Sequence, residues 1–192
     1  PTYLFGEMIL PAGAELTIKG WFPHVRFFNF SIYLFEKNTF VNAPGGAIDG
    51  YDIEPDPGST NPYRVGADRN AANRNFTIRL VAKALPANPA DRAKNTVYLG
   101  NADSKVFGGF RTYVSDHDFD GTGWGPGSGP NNLPPGLTWT ATLADGTQLS
   151  EAEATKRFGK VMGDAPPPID AEKWYQLVNN PANPPDMTPA TA

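Results

Sequence analysis

The feature that most constrains the fold is an apolar stretch with a period of two, running from His24 to Phe35 (HVRFFNFSIYLF). Side chains alternate between the two faces of an extended chain. One face carries Arg26, Phe28, Phe30, Ile32 and Leu34, and the other carries Val25, Phe27, Asn29, Ser31, Tyr33 and Phe35. The first set predicts the core face of a central strand, and the second face is mixed rather than fully polar.

Shorter stretches with strand patterns surround this one. Glu15 to Trp21 alternates cleanly, and similar patterns cover residues 3–10, 76–84, 95–100, 106–114 and 137–143. Because residues 11–14 (PAGA) form a turn signal, we expect residues 3–21 to be a hairpin. Gly and Pro number 20 each, enough to supply many turns. Eight or nine short strands with a small helical C-terminus predict an all-β, antiparallel, jelly-roll-like β-sandwich.

The C-terminal part changes character at Ser150. Ser150 and Glu153 form a capping box, which predicts a helix to about Met162. A second short helix is predicted to begin near Asp170 and to carry Trp174. We therefore divide the chain into a sandwich domain (1–149), two short helices (150–178) and a Pro-rich extended tail (179–192). The helices pack on the sandwich or dock on a protein partner or a second copy of the chain.

Composition restricts the classes of function. A net charge of −4 and a pI near 5.1 give no electrostatic reason to expect nucleic acid. The absence of cysteine excludes disulfides, zinc–thiolate sites and thiol nucleophiles. No apolar run approaches the ~20 residues of a membrane-spanning helix. A turn-rich, mildly acidic β protein without disulfides suits a secreted or periplasmic bacterial location. The chain starts at Pro1 without a methionine, which either signal-peptide removal or other trimming would explain.

Several segments together resemble a known group of proteins. They are LPAGAELTIKGWFPHVRFFNFSIY, DIEPDPGSTNPYR, NTVYLG, FRTYVSD and LPPGLTWTATLADGT. The succession resembles uncharacterised bacterial exported proteins and is distantly similar to jelly-roll proteins of the DUF1214 type. The resemblance covers about residues 3–150 and implies a fold and an exported location. It implies no reaction, and no functional residue is carried over from it.

An aspartate-rich loop is the candidate metal site. Asp116, Asp118 and Asp120 occupy alternate positions before Gly121, as in the opening of many calcium loops. Gly127 stands where an EF-hand has its bidentate Glu, and no helix pattern precedes the loop, so an EF-hand is excluded. Another type of Ca²⁺ loop remains, with the three aspartates and the Thr122 carbonyl as ligands. The alternative is a solvated turn between two strands.

A second candidate site combines His24 and Arg26 with the acidic residues of the following loop. Those acidic residues are Asp49, Asp52, Glu54 and Asp56. A His, an Arg and a carboxylate suit acid–base catalysis or an anion clamp. No nucleophile elbow, His-x-x-x-His pair or phosphate loop accompanies them. The alternative is structural: Arg26, placed on the core face, pairs with Asp52 or Asp56 and holds the 49–64 loop against the central strand.

Aromatic residues in or near loops are the third candidate. Trp124, Tyr63 and Trp139, together with Trp21 and Tyr51, are expected to be exposed at the ends of the sandwich. Such residues stack on sugar rings in carbohydrate-binding proteins. The same residues suit a subunit interface or the end of the core.

These observations support three functional hypotheses. The first is a non-enzymatic exported β-sandwich that acts as a subunit or accessory binding component of a larger assembly, with Ca²⁺ as a stabilising ion. The second is a carbohydrate-binding module using the loop aromatics. The third is a hydrolase or lyase using His24, Arg26 and a nearby Asp.

Overall fold

A computed structural model describes residues 2–36, 39–100, 105–116, 123–124 and 136–158. The strands are β1 (Thr2–Ile9), β2 (Glu15–Trp21), β3 (Val25–Glu36), β4 (Thr39–Asp49), β5 (Asn75–Val81), β6 (Thr96–Tyr98), β7 (Lys105–Ser115), β8 (Thr138–Thr142) and β9 (Gln148–Leu149). A 3₁₀ turn covers Pro89–Asp91, and one helix, α1, covers Glu151–Phe158.

The strands form two sheets that face each other across one core. The first sheet has the order β1-β7-β3-β4, and the second has the order β6-β5-β2-β8-β9. Every pairing between these strands is antiparallel except that of β5 with β6. The prediction of an all-β sandwich with a small helical extension is confirmed.

The predicted N-terminal hairpin is wrong. β1 pairs with β7 in the first sheet, whereas β2 lies between β5 and β8 in the second. The connecting residues cross from one sheet to the other, with Leu10 and Ala14 buried. The Gly13 N–H donates to the Ala82 carbonyl, and the Ala82 N–H donates to the Ala14 carbonyl, which ties the turn to the end of β5. A turn signal shows where the chain bends, but burial of apolar side chains selects the partner strand.

β3 is an interior strand, as predicted, and Phe28, Phe30 and Ile32 are buried in the core. The placement of Arg26 on the core face is wrong, because its side chain is 71% exposed. The alternation is interrupted where β3 begins. Opposite Arg26 on β7 lies Val114, whose φ of +55° is in the left-handed region that β-branched residues avoid. This distortion of the ladder accompanies the exposure of two consecutive residues of β3, Arg26 and Phe27, directly after the buried Val25.

Helix α1 begins with the predicted capping box. The Ser150 backbone N–H donates to Glu153 Oε2 (2.9 Å), and the Glu153 N–H donates to Ser150 Oγ (3.4 Å). Ala154 and Phe158 are buried as the helix packs on β8 and β9. The predicted continuation to Met162, the second helix and the tail lie outside the described residues. In the described part of the chain, no helix is long and apolar enough to cross a membrane.

Candidate functional site

One end of the sandwich carries a cavity of about 390 Å³. It lies where β2 ends at Trp21 and where β5 begins at Asn75. His24, Arg74 and residues 70–72 complete its lining. Three chain segments that are distant in sequence therefore meet there: the β2–β3 connection, the long loop before β5, and, beside His24, the end of β7.

Backbone hydrogen bonds fix the position of His24. Its carbonyl accepts from the Asp116 N–H (2.8 Å), and its own N–H donates to the Gly123 carbonyl (2.7 Å). Gly123 has a φ of +74°, and a Cβ there would lie 2.9 Å from the His24 carbonyl oxygen. Only glycine accommodates both the conformation and the close approach. His24 is thus held between the end of β7 and Gly123 before its side chain makes any contact.

Arg74 is the most unusual side chain of the site. It is 5% exposed, yet it comes directly before an apolar strand at the edge of the cavity. Its Nη1 lies 2.7 Å from His24 Nε2 and donates to the Arg69 carbonyl (3.1 Å), and its Nη2 donates to the Pro23 carbonyl (3.3 Å). Its Nε is buried without a hydrogen-bond partner.

Arg74 forms no ion pair with a described residue, although the charges of Asp116 and Asp68 act on it from a distance and oppose the lowering of its pKa. Within the described part of the chain, no carboxylate oxygen lies within 4.0 Å of its guanidinium. Burial lowers the pKa of Arg74, but a guanidinium stays protonated at any physiological pH. Carbonyl dipoles and an imidazole are its only described partners.

Asp116 is a carboxylate beside His24 at this end of the sandwich. Its Oδ1 lies 3.4 Å from Arg69 Nη2 and 3.9 Å from Arg26 Nε, and its Oδ2 lies 3.8 Å from His24 Nδ1. Val114, two residues earlier, is the strained position of β7. Asp116 thus leaves the strand beside a distorted segment, in the middle of three cationic or ionisable side chains.

The predicted partnership of His24 and Arg26 with Asp52 or Asp56 is wrong. Asp56 Oδ2 accepts a hydrogen bond from Thr77 Oγ1 (3.1 Å), and Asp52 is exposed in the turn after β4. The 49–64 region does lean on the β2–β3 connection, but through Tyr63, whose hydroxyl donates to the Pro23 carbonyl (2.8 Å). A neutral hydrogen bond replaces the ion pair that the sequence suggested.

The chemistry of His24 follows from these neighbours. Partial burial and then the nearby Arg74 charge lower the pKa of His24, and Asp116 opposes the shift. The imidazole is therefore neutral at neutral pH. Because Arg74 can only donate, the neutral ring accepts its hydrogen bond at Nε2, and Nδ1 is then the nitrogen that carries the proton.

The long loop before β5 is built around one buried amide. Asn61 is buried, and its Nδ2 donates to the carbonyls of Gly50 and Ile53 (2.7 Å each). Its Oδ1 accepts from the Tyr63 N–H (2.9 Å). Loops of this length without regular structure usually carry function. Here the loop supplies Arg74 and residues 70–72 to the cavity.

The expectation that Trp124 and Trp139 are exposed is wrong, since they are only 2% and 3% exposed. The Trp124 ring packs edge-on against Phe28 and Phe110, and its Nε1 donates to the Trp21 carbonyl (2.7 Å). These rings close the core at this end of the sandwich, so their faces are not available to a sugar. Trp21 is half-buried and lines the cavity.

The predicted calcium loop lies largely outside the described residues. The residues that lie outside the described ranges are Asp118, Asp120 and Thr122. Asp116 is described, and its carboxylate lies close to Arg26 and Arg69. The described ranges contain no group of three or more His, Asp or Glu side chains that could hold a metal ion. Calcium in the 116–122 loop stays a prediction.

Sequence reasoning identified His24 and Asp116 but missed Arg74, Arg69 and the cavity role of Trp21. The sequence signal that could have identified Arg74 is its position directly before the apolar strand β5. Comparison with known protein families, curated proteins and solved structures finds no match. The resemblance to exported jelly-roll proteins therefore stays a prediction, and the geometry of the cavity carries the functional argument.

Proposed function

We propose that this protein works by binding, and that its ligand is a small organic anion held in the cavity beside Arg74. The observation that carries the proposal is the buried guanidinium of Arg74 at the cavity wall, with no carboxylate beside it among the described residues. Buried charges in proteins are paired, because desolvation without a partner is costly. A bound anion would supply the missing negative charge.

The local distribution of charge supports an anionic ligand. Arg26 and Arg69 lie within 4.0 Å of Asp116, and Arg74 is a third arginine at this end of the sandwich. The described carboxylates that act on Arg74 are those of Asp116 and Asp68, so the three arginines outnumber them in a protein whose net charge is −4. A cleft lined by one sign of charge concentrates ligands of the opposite sign.

The size of the cavity favours an organic ligand over a bare ion. Its volume of about 390 Å³ lies within the range of ~300–1,000 Å³ typical of small-molecule sites. The lining mixes one cation, one imidazole and two amides with an indole and small aliphatic side chains. Few polar groups placed in a partly apolar wall are typical of a binding pocket.

The test is a titration with sodium acetate, benzoate and phosphate at constant ionic strength, followed by calorimetry and by NMR of the Trp21 indole N–H. We expect saturable binding of at least one anion, weakened at least tenfold in Arg74→Met. The control is Arg79→Met, which removes an arginine from the other end of the β2–β5 pair. This variant should bind the anion as tightly as the unmodified protein does. No binding of any probe would refute the proposal, and so would equal binding by Arg74→Met.

Should Arg74→Met fold poorly, Arg74→Lys provides a second measurement. Lysine keeps the charge but lacks the planar fork of donors, so binding should weaken without disappearing. Shifts of the Trp21 indole N–H in the unmodified protein locate the ligand independently of any variant. A saturable signal that leaves Trp21 unshifted would place the anion elsewhere and overturn the assignment.

A second candidate, acid–base catalysis, is favoured by the lowered pKa of His24. If a bound carboxylate takes the Arg74 hydrogen bond from His24, the neutral imidazole has a lone pair with which to remove a proton next to that carboxylate, which is how a lyase begins. Deuterium exchange at the methylene carbon of phenylacetate in D₂O tests this. Exchange that His24→Gln abolishes would support catalysis, and its absence would leave binding as the function.

A further inference from the structure

The cavity contains one aromatic wall whose position is fixed from behind. Trp21 is the last residue of β2, and its carbonyl accepts the Trp124 indole hydrogen bond (2.7 Å). Gly136, with a φ of +77°, lies against the Trp21 ring: a Cβ there would be 3.3 Å from Trp21 Cδ1. The indole therefore rests on backbone on one side while its residue lines the cavity.

The neighbouring imidazole meets the Trp21 indole in an edge-to-face contact. The rings of Trp21 and His24 lie 5.9 Å apart, centroid to centroid, with an angle of 64° between their planes. Ala71 and Ala72 contribute only small side chains on the loop side. On the cavity side of this ring pair, a flat ring can stack on the indole and contact the imidazole with its edge. A puckered or branched body of equal volume makes poorer contact with both walls.

The charges of the site indicate how many negative charges the ligand carries. Arg26 and Arg69 both lie close to Asp116, whose carboxylate offsets part of their charge. Among the described residues, Arg74 is then the buried cation that forms no ion pair, with Asp116 and Asp68 acting on it only from a distance. A single planar guanidinium matches a single carboxylate. A phosphate dianion would need further charged donors within the cavity, and its described polar lining is otherwise the imidazole and the amides of Asn70 and Asn75.

We infer that the ligand is a monocarboxylic acid with a flat aromatic or heteroaromatic body, and that Trp21 determines this specificity. The inference rests on the proposed anion-binding function. The carboxylate lies towards Arg74, the flat body lies against the Trp21 indole, and the amides of Asn70 and Asn75 are placed to contact polar substituents on its rim.

The experiment compares four probes on the full chain: benzoate, cyclohexanecarboxylate, phosphate and benzyl alcohol. Benzoate and cyclohexanecarboxylate share size and charge but differ in flatness, and benzyl alcohol keeps the ring without the charge. We expect benzoate to bind at least tenfold more tightly than each of the others. Calorimetry measures the dissociation constants, and ring-current shifts of the Trp21 indole N–H report stacking.

The matched variants are Trp21→Leu and Tyr51→Leu. Trp21→Leu should remove the preference for benzoate over cyclohexanecarboxylate. Tyr51, an exposed aromatic residue outside the cavity lining, is the control, and its variant should keep the preference. If Trp21→Leu is unstable, Trp21→Phe provides a conservative variant that should retain part of the preference.

The possible outcomes separate this inference from the function on which it rests. Equal binding of benzoate and cyclohexanecarboxylate, or tighter binding of phosphate, would overturn the aromatic acid and leave an anion site. A preference that persists in Trp21→Leu would overturn the role of Trp21. Failure of every anion to bind would remove the proposed function itself.

Discussion

The two ends of the β2–β5 ladder hold arginines in opposite electrostatic situations. At one end Arg79 donates two hydrogen bonds to Glu15, each 2.6 Å long. The Glu15 carboxylate raises the pKa of Arg79, and Arg79 lowers the pKa of Glu15. At the other end Arg74 is buried beside Trp21 and His24, and burial lowers its pKa.

The two arginines differ in whether a carboxylate of the protein pairs with them. The Glu15–Arg79 pair is complete and partly exposed, so it adds little to stability and leaves no requirement for a ligand. Arg74 has lost its water without gaining a carboxylate among the described residues. A buried cation without an ion-pair partner lowers the stability of the folded protein. If an anion binds to it in the folded state, the free energy of binding compensates for that loss.

The largest effect should come from removing the support beneath the cavity. Trp124→Ala deletes a buried indole that packs on Phe28 and Phe110 and donates to the Trp21 carbonyl. We expect the free energy of unfolding to fall by about 3–5 kcal/mol, measured by urea denaturation. Tyr51→Ala, at an exposed ring, is the control and should change it by less than about 0.5 kcal/mol. If Trp124→Ala lowered the free energy of unfolding by less than about 1 kcal/mol, the packing of Trp124 on the core would not be what supports the cavity.

The next largest effect concerns the loop that carries Arg74. Asn61→Ala leaves the buried carbonyls of Gly50 and Ile53 without their donor, at a cost of about 1–3 kcal/mol. Binding of benzoate should weaken as well, because the same loop forms one wall of the cavity. Asn88→Ala removes an exposed cap from the 3₁₀ turn and is the control. Asn88→Ala should leave benzoate binding unchanged. If Asn88→Ala weakened binding as much as Asn61→Ala, the loss could not be attributed to the loop that carries Arg74.

A smaller effect is the pH dependence at the cavity end. The pKa of His24 is lowered from its ordinary 6.5, so the unfolded chain binds a proton more readily than the folded chain. The free energy of unfolding should therefore fall as the pH drops below about 6.5 towards the folded pKa. In urea denaturation between pH 7.5 and 5, the free energy of unfolding should change less steeply with pH for His24→Asn than for the unmodified protein.

A separate NMR titration tests the role of Asp116. Asp116→Asn should lower the His24 pKa further, and a rise would contradict the assigned role of Asp116.

The smallest effect is expected at the complete end of the ladder. Arg79→Met breaks the pair with Glu15 and should cost about 0–1 kcal/mol, less at high salt. Anion binding should be unaffected, since Arg79 is not part of the cavity lining. Glu15→Gln is the matched variant on the partner strand. If Arg79→Met weakened benzoate binding as much as Arg74→Met, the contrast between the two ends would fail.

The sequence predicted elements better than partnerships. The alternation of residues 24–35 correctly predicted an interior strand, and Ser150 with Glu153 correctly predicted where α1 begins. The pairing of β1 with β2 and the inward orientation of Arg26 were both wrong. Strand periodicity is a local property of the chain, whereas pairing depends on contacts between residues that are far apart in sequence.

The candidate site shows the same division. By itself the sequence determined the all-β class, the exclusion of cysteine chemistry and the presence of His24 beside a turn-rich region. Only the tertiary structure decided that Arg74 is buried, that Asp116 rather than Asp52 or Asp56 approaches His24 and Arg26, and that Trp21 lines the cavity. The physical reason is that Trp21 and Asn75 become opposite positions only when β2 and β5 pair. That pairing is set by burial of the whole core, and no local pattern in residues 21–75 specifies it.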